Sequence, residues 1–126
     1  MSSVLVDTDI IVDHLRGMEG ADRLLKKIEK KELEGYFSTI TEAELFAGKG
    51  MDSREARQRV AALLSIMKRI PVNSSIARKA GEIKRSSHIP LPDAIIAASA
   101  MTIKASLATR NVRHFKGVEK LGLERA

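Results

Sequence analysis

The alternation of apolar and polar residues along the chain predicts short strands separated by helices. Three apolar runs rich in β-branched or aromatic residues are typical of buried strands, and they cover residues 3–6, 36–40 and 106–109. Two weaker runs, at residues 69–72 and 121–123, predict further short strands. The chain is therefore expected to build its core around a small sheet.

Apolar residues at helical spacing fill the intervals between these strands. Gly35 is expected to end the second helix, and the longest helical pattern extends from Ser53 to Met67. The last predicted helix is apolar on most faces, which is typical of a helix packed between layers. The helical patterns lie over residues 9–15, 21–28, 41–46, 53–67, 76–83 and 93–103.

Strands that alternate with helices pair in parallel, so we predict an α/β fold with a short parallel sheet and helices on both faces. At 126 residues the chain is expected to form a single domain, residues 1–126. Ligands of such sheets bind at the carboxyl ends of the strands. The residues that follow each strand are therefore the first candidates for chemistry.

Composition excludes several classes of protein. The absence of cysteine excludes disulfide scaffolds, thiolate zinc sites and a cysteine nucleophile. The three histidines do not stand at metal-ligand spacing, which argues against a histidine zinc enzyme. The apolar run at residues 94–101 is too short to span a bilayer, so we expect no membrane association. No charged and then apolar leader opens the chain, so a cytoplasmic location is expected.

Positive charge is concentrated in the second half of the chain. Residues 1–60 carry ten Lys and Arg against twelve Asp and Glu, whereas residues 61–126 carry twelve against four. The second half therefore has a net charge of +8, which indicates a polyanionic partner, nucleic acid before membrane. A basic surface that is simply solvated explains the charge about equally well.

Four polar residues stand at the expected strand ends or helix starts, namely Asp7, Glu44, Asp93 and Asn111. Each has an ordinary structural explanation. Asp7 suits a helix cap, Glu44 completes a capping box with Thr41, Asp93 suits a helix dipole and Asn111 suits a turn. These explanations do not account for a common location at one sheet edge. Clustered carboxylates repel one another unless a hard cation neutralises them, and three carboxylates suit Mg²⁺ or Mn²⁺.

Asp93 fits its structural explanation least well. It is the only acidic residue between Glu82 and Glu119, and an apolar run follows it directly. A carboxylate in apolar surroundings is costly unless another group pairs with it. We expect that partner to be a metal ion or a nearby arginine.

Four segments of the sequence together resemble the PIN-domain ribonucleases, in particular the VapC toxins of prokaryotic toxin–antitoxin pairs. The resemblance runs in order over nearly the whole chain, and its weight comes from the four segments together. The acidic residue of the second segment falls on Glu44 and not on Glu42. The segments are residues 4–15 (VLVDTDIIVDHL), 38–48 (STITEAELFAG), 89–98 (IPLPDAIIAA) and 109–115 (TRNVRHF).

This resemblance implies a PIN-like fold and a metal-dependent endoribonuclease. Asp7, Glu44 and Asp93 would hold one or two Mg²⁺ or Mn²⁺ ions, and Asn111 would complete the catalytic set. Water activated by the metal would attack an RNA phosphodiester bond in line and leave a 5′-phosphate and a 3′-hydroxyl. The resemblance also implies a homodimer, held inactive by a VapB-type antitoxin whose tail occupies the acidic groove.

The sequence departs from the family pattern at His114, where many relatives have Asp or Glu before the phenylalanine. A second metal site would then depend on Asn111 or Asp9. The same departure supports an alternative hypothesis, a catalytically degenerate PIN-fold module that binds RNA or a protein partner.

Three basic residues of the last segment, Arg110, Arg113 and Lys116, stand next to the expected site. We expect them to hold the phosphate backbone on either side of the cleaved bond. Most of the four aromatic side chains are expected in the core, so specificity is expected to come from RNA shape and backbone contacts.

Two further hypotheses stay open from the sequence. Asp7-Thr8-Asp9 after an apolar strand resembles the nucleophile loop of haloacid-dehalogenase phosphatases, although Asp93 lacks the acidic neighbour that this fold requires. A structural α/β domain whose basic half docks an acidic protein would share the same composition.

Overall fold

The computed structural model describes residues 1–125 and shows an α/β fold built on one five-stranded sheet. The strands are β1 (Ser3–Val6), β2 (Glu34–Ser38), β3 (Lys68–Ile70), β4 (Ser106–Thr109) and β5 (Leu123–Arg125). They stand in the order β3-β2-β1-β4-β5, and every neighbouring pair is parallel. The predicted fold class is confirmed. Ala126, the last residue of the predicted single domain, lies outside the described residues.

Helices occupy the connections between the strands. They are α1 (Thr8–Leu15), α2 (Glu19–Glu29), α3 (Thr39–Phe46), α4 (Arg54–Leu64), α5 (Ser74–Ser87), α6 (Leu91–Thr102) and α7 (Val112–Phe115), with a 3₁₀ helix at Lys49–Asp52. Within residues 1–125, none of these helices is long and apolar enough to cross a bilayer.

Strand β1 lies at the centre of the sheet, where Leu5 pairs with Tyr36 of β2 and with Leu107 of β4. Successive side chains of a strand point to opposite faces. Val4 and Val6 accordingly join a core with residues of α1, α2 and α4, whereas Leu5 joins a second core with residues of α5 and α6. Helices therefore cover both faces of the sheet, as predicted.

Helix α6 is buried along most of its length, which confirms the prediction of a helix packed between layers. Ala97, Ala98 and Ala100 are fully buried, and their small side chains let α6 lie close to α5 and to the sheet. The hydroxyl of buried Ser99 donates a hydrogen bond to the carbonyl of Ile95 at 2.8 Å. No polar group of this side chain is left without a partner, so the helix tolerates a serine in its buried face.

The predicted end of the second helix is wrong. Helix α2 ends at Glu29, and Gly35 lies inside β2. The chain reverses direction at Lys31, whose φ of 65° places it in the left-handed region. Gly35 serves a different purpose, because a Cβ atom there would lie 2.8 Å from side-chain atoms of Ile28. The glycine lets α2 pack directly on β2.

Other element ends also differ from the predictions. The longest helix is α5, with 14 residues, whereas the Ser53–Met67 pattern forms only the 11 residues of α4. Met67 fits the helical spacing but is buried in the turn that leads to β3. Helix α3 begins two residues before the predicted Thr41, β3 ends at Ile70 and not at residue 72, and β5 begins at Leu123. Helix α7 was not predicted, because four residues are too few for a periodic pattern.

Replacing Gly35 with alanine tests the close packing of α2 on β2. The added Cβ would overlap the buried Ile28 side chain, so we expect Gly35→Ala to lower the free energy of unfolding by roughly 1–3 kcal/mol. Gly50→Ala is the control, since nothing lies within 4 Å of a Cβ atom at that position. Chemical denaturation measures both variants, and equal stabilities would contradict the packing described for Gly35.

Candidate active site

Asp7 and Thr109 meet at the carboxyl edge of the sheet, because β1 and β4 are neighbours. The Asp7 amide donates to the carbonyl of Ala108 at 2.9 Å, which continues the strand pairing by one residue. Thr109 is the last residue of β4, and its Oγ1 donates to Oδ2 of Asp7 at 2.8 Å. Asp7 is only 7% exposed. The pairing of two strands thus buries a carboxylate at the place where ligands of parallel sheets bind.

Asp7 is also the N-cap residue of α1, as its structural explanation required. Its Oδ1 accepts a hydrogen bond from the amide of Thr8 at 2.8 Å. Together with the bond from Thr109 to Oδ2, this contact engages both oxygens of the carboxylate. Capping therefore holds one oxygen of Asp7, and it is compatible with a second role.

The electrostatic surroundings of Asp7 disfavour its charged form. Burial raises the pKa of Asp7 to about 7, and the negative charge of Asp9 is the next largest cause. The charge of Asp93 raises the pKa further, whereas the hydrogen bonds from Thr109 and Thr8 oppose the shift. Burial also raises the pKa of Asp9, which the neighbouring Arg110 partly offsets. The edge thus holds negative charge that protein groups only partly neutralise.

Glu44 lies beside the start of α1, because the hydroxyl of Thr8 donates to its Oε1 at 2.7 Å. The capping-box explanation of Glu44 is wrong. Ser38 is the N-cap of α3, and Thr41 lies buried inside that helix. Glu42 faces elsewhere and binds the guanidinium of Arg69 with two hydrogen bonds of 2.9 and 3.0 Å. Of the two glutamates, only Glu44 contacts the residues around Asp7.

Asp93 stands in the first turn of α6 and is partly buried. Its Oδ2 lies 3.1 Å from Nδ1 of His114, a residue of α7. The protein partner of Asp93 is therefore this histidine and not an arginine, which was one of the two expected partners beside a metal ion. The same contact places His114, the position where the sequence departs from the family pattern, against one of the predicted metal ligands.

Asn111 is exposed and immediately precedes α7. Its backbone amide donates to Oγ1 of Thr109 at 3.0 Å, and its side chain does not cap the helix. The turn expected at this position is present. Asn111 therefore lies at the same sheet edge as Asp7, and the two residues are linked through Thr109.

Asp13, a buried acidic residue in the second turn of α1, was not predicted from the sequence to belong to this site. Its Oδ1 accepts a hydrogen bond of 2.7 Å from Nη1 of Arg110, so the side chain of Arg110 is already engaged within the protein. One signal was present, because Asp13 follows Asp9 by four residues and so lies on the same helix face. Thr8 and Thr109 were also missed, although both lie within the recognised segments.

The donor chemistry of this edge fits a hard divalent cation. Asp7, Glu44 and Asp93 offer carboxylate oxygens, which Mg²⁺ and Mn²⁺ prefer, and burial together with the negative charge of Asp9 raises the pKa of Asp7. The hydrogen bond from Thr8 to Glu44 and the contact of His114 with Asp93 each involve one oxygen of the carboxylate. Within residues 1–125, however, no three acidic or histidine side chains already stand together as a metal-binding group. The residues fit the ion chemically but are not gathered around it.

Comparison with known proteins decides the family. The family model of the PIN domain matches residues 4–121, which is most of the chain. The chain belongs to the PIN-domain family. Two relatives from Mycobacterium tuberculosis show that it falls among the VapC proteins. Ribonuclease VapC10 is 38% identical over 123 residues, which cover 94% of this chain and 90% of VapC10. Ribonuclease VapC19 is 38% identical over 116 residues, which cover 88% of this chain and 90% of VapC19.

Solved structures show the same VapC-type fold. A toxin–antitoxin complex from Klebsiella pneumoniae contains a chain with a TM-score of 0.79 and 28% identity, and the match covers 94% of both chains. VapBC2 from Rickettsia felis, bound to a DNA fragment from its promoter, gives a TM-score of 0.82 at 22% identity over 98% of both chains. The expected family and the PIN-like fold are confirmed, and the dehalogenase-type phosphatase hypothesis is wrong.

The raised pKa of Asp7 predicts a specific pH dependence of stability. In the unfolded chain this carboxyl titrates near 3.8, so between about pH 4 and pH 7 the folded chain binds more protons. The free energy of unfolding therefore falls as the pH rises through this window. Asp7→Asn removes the titrating group, and we expect it to stabilise the chain at about pH 8 by up to roughly 4 kcal/mol. This gain should disappear near pH 4.

Thermal and urea denaturation in EDTA measure this effect at both pH values. Glu55→Gln, on the exposed surface of α4, is the control for removal of one negative charge. A loss of stability in Asp7→Asn that is the same at both pH values would contradict the raised pKa.

Proposed function

We propose that this VapC-type PIN domain is a metal-dependent endoribonuclease and the toxin of a toxin–antitoxin pair. The observation that carries the proposal is the arrangement around Asp7. Glu44 accepts a hydrogen bond from Thr8, the residue after Asp7, and the negative charge of Asp93 raises the pKa of Asp7. Relatives that are 38% identical over about nine-tenths of the chain are ribonucleases, which supports RNA as the substrate.

Asp7, Glu44 and Asp93 are the residues that would hold Mg²⁺ or Mn²⁺. The ion supplies Lewis-acid activation of water and offsets negative charge on the phosphate that is cleaved. Asn111, at the same edge, contributes an amide oxygen as a further polar donor. The oxygen-only donor set supports this choice of ion, because hard cations prefer carboxylate and amide oxygens.

The protein's own contribution is to hold these side chains in place before RNA arrives. Thr8 and Thr109 orient the carboxylate of Asp7 from its two sides, and the hydroxyl of Thr8 orients Glu44. His114 of α7 contacts Asp93, with Nδ1 at 3.1 Å from Oδ2. Fixed orientation of this kind lowers the cost of assembling a reacting geometry.

Arg110, Arg113 and Lys116 are the proposed contacts to the phosphate backbone of RNA. All three are exposed and belong to the segment that follows β4. Thr109 and His114 of the same part of the chain contact Asp7 and Asp93. Arg110 contributes the part of its guanidinium that Asp13 leaves free, since its side chain is 56% exposed. Such contacts position RNA without reading its sequence.

Aromatic stacking contributes little to the proposed recognition of RNA. Phe37 and Phe115 are each 1% exposed, as expected for core residues, and are closed to bases. Phe46 differs from that expectation because it is exposed on α3. It lies two residues beyond Glu44, on the part of α3 that bears Glu42.

A VapB-type antitoxin is the proposed protein partner. Structural neighbours of this chain are VapBC and other toxin–antitoxin complexes, which supports the assignment. Such a partner is expected to suppress RNA cleavage by the purified chain. The homodimer implied by the resemblance stays a prediction.

The alternative function is a catalytically degenerate module that binds RNA or a partner without cutting. The contact between His114 and Asp93 favours it, because the histidine engages a carboxylate that catalysis requires. The two functions differ in their response to divalent ions, which the first experiment below measures.

Cleavage of a structured RNA pool by the purified, antitoxin-free chain tests the proposal. We expect cuts with 5′-phosphate ends in Mg²⁺ or Mn²⁺ and none in EDTA. Asp7→Asn and Asp93→Asn should abolish the cuts while leaving a folded chain, because each removes a ligand charge. A wild type that binds RNA in low salt but is as inactive as both variants would establish the alternative function.

The two glutamates of α3 give a matched test of the assignment of Glu44. We expect Glu44→Ala to lower the cleavage rate roughly a hundredfold or more, the effect of losing several kcal/mol of transition-state stabilisation. Glu42→Ala should be nearly silent, since Glu42 pairs with exposed Arg69 away from Asp7. Rates measured at saturating metal compare the two, and an inactive Glu42→Ala beside an active Glu44→Ala would overturn the assignment.

A further inference from the structure

An ion pair between Asp13 and Arg110 ties α1 to the segment that follows β4. The two residues are 97 positions apart in sequence, and Nη1 of Arg110 donates to Oδ1 of Asp13 at 2.7 Å. The side chain of Asp13 is 10% exposed, whereas that of Arg110 is 56% exposed. Because the carboxylate of Asp13 is buried, removal of Arg110 would leave its charge without a partner, and the contact therefore links the two elements.

We call residues 109–111 the strap: Thr109 and Arg110 bond to α1 or to its N-cap residue, and Asn111 bonds back to Thr109. Thr109 donates its hydroxyl to Asp7 Oδ2 at 2.8 Å and accepts the amide of Asn111 at 3.0 Å. The amide of Arg110, between them, lies 3.4 Å from Oδ1 of Asp9. The strap thus contacts Asp7 and Asp9 directly, and through the Arg110 side chain it is joined to Asp13.

We propose that Asp13 is a positioning residue, which acts through Arg110 to hold the strap against α1 so that the Thr109 hydroxyl fixes the carboxylate of Asp7. This inference rests on the proposed function, because it gives Asp7 a role in cleavage. Asp13 does not contact the reacting atoms. It determines whether the carboxylate of Asp7 faces them correctly.

The pairing of β1 with β4 does not by itself fix the orientation of the Asp7 carboxylate. Strand pairing sets the backbones of Asp7 and Thr109, but each side chain can still rotate about its own bonds. The strap removes this freedom, because the Asn111 amide orients the Thr109 hydroxyl towards Asp7. A displacement of about 1 Å in a catalytic group can lower a rate about a hundredfold.

Asp13→Ala tests the proposal through a separation of kcat from KM. We expect kcat for RNA cleavage to fall roughly 10- to 100-fold without a rise in KM, because Asp13 positions a catalytic group and the Arg110 guanidinium that it releases stays available to RNA. Asp13→Asn should retain most of the activity, since its amide oxygen still accepts the bond from Arg110. Arg69→Gln breaks another arginine–carboxylate pair and should leave both constants unchanged.

A double variant tests whether Asp13 acts through Thr109. Thr109→Val keeps the shape of the side chain but removes its hydroxyl, so the bond to Asp7 is lost in this variant already. Asp13→Ala should then lower kcat no further in the Thr109→Val background. Effects that multiply in the double variant would overturn the proposal, because they would show that the two residues act independently.

Hydrogen exchange of the Asn111 amide gives a readout that needs neither metal nor activity. We expect this amide, bonded to Thr109, to exchange roughly tenfold faster or more in Asp13→Ala than in wild type. The amide of Ile76, bonded to the side chain of Asn73 at 2.9 Å, is the control and should not change. Equal protection of the Asn111 amide in Asp13→Ala and in wild type would contradict the inference. If the wild type cleaves no RNA, the proposed function fails on its own, and exchange still decides whether Asp13 holds the strap.

Discussion

The parallel pairing of β1 with its two neighbours is the constraint on which the rest of this structure depends. Leu5 pairs with Tyr36 on one side and with Leu107 on the other, so β1 is buried on both faces and along both edges. Because neighbouring strands run in the same direction, their carboxyl ends lie at one edge. Asp7, Thr109 and the start of α3 are brought together there for that reason alone.

This arrangement concentrates negative charge in a partly buried place, and the fold compensates only some of it. Arg110 neutralises Asp13, and His114 contacts Asp93. Burial, with the charge of Asp9 as the next cause, raises the pKa of Asp7 to about 7, and the hydrogen bonds that this carboxylate receives offset the shift only in part. Sites that bury a charged group at a cost in stability often do so because function requires that group. Here the cost falls on the group that the proposed chemistry needs most.

The two halves of the chain contribute different parts of this site. The first half supplies Asp7, Asp13 and Glu44, whereas the basic second half supplies Arg110, which contacts Asp13, and His114, which contacts Asp93 of the same half. The asymmetry of charge along the sequence therefore has two uses. Some basic side chains neutralise acids inside the protein, and only the remaining ones are available to a polyanion.

The sequence by itself determined the fold class, the family and the region of the site. Apolar runs and helical spacing are local properties, and acidic residues at strand ends can be read directly from the order of residues. The parallel sheet, the buried α6 and the position of Asp7 at the end of β1 were all predicted in this way. Element ends were less well predicted, because Gly35 and Met67 owe their positions to packing against other elements.

Only the tertiary structure decided which side chains contact one another. It gave Glu44 a contact with Thr8, gave Asp93 a histidine partner and paired Asp13 with a residue 97 positions away. No local pattern encodes these pairs, because each depends on how the sheet orders its strands and how the helices pack across them. Periodicity predicts which elements form, but contacts between distant residues arise only when those elements share one core.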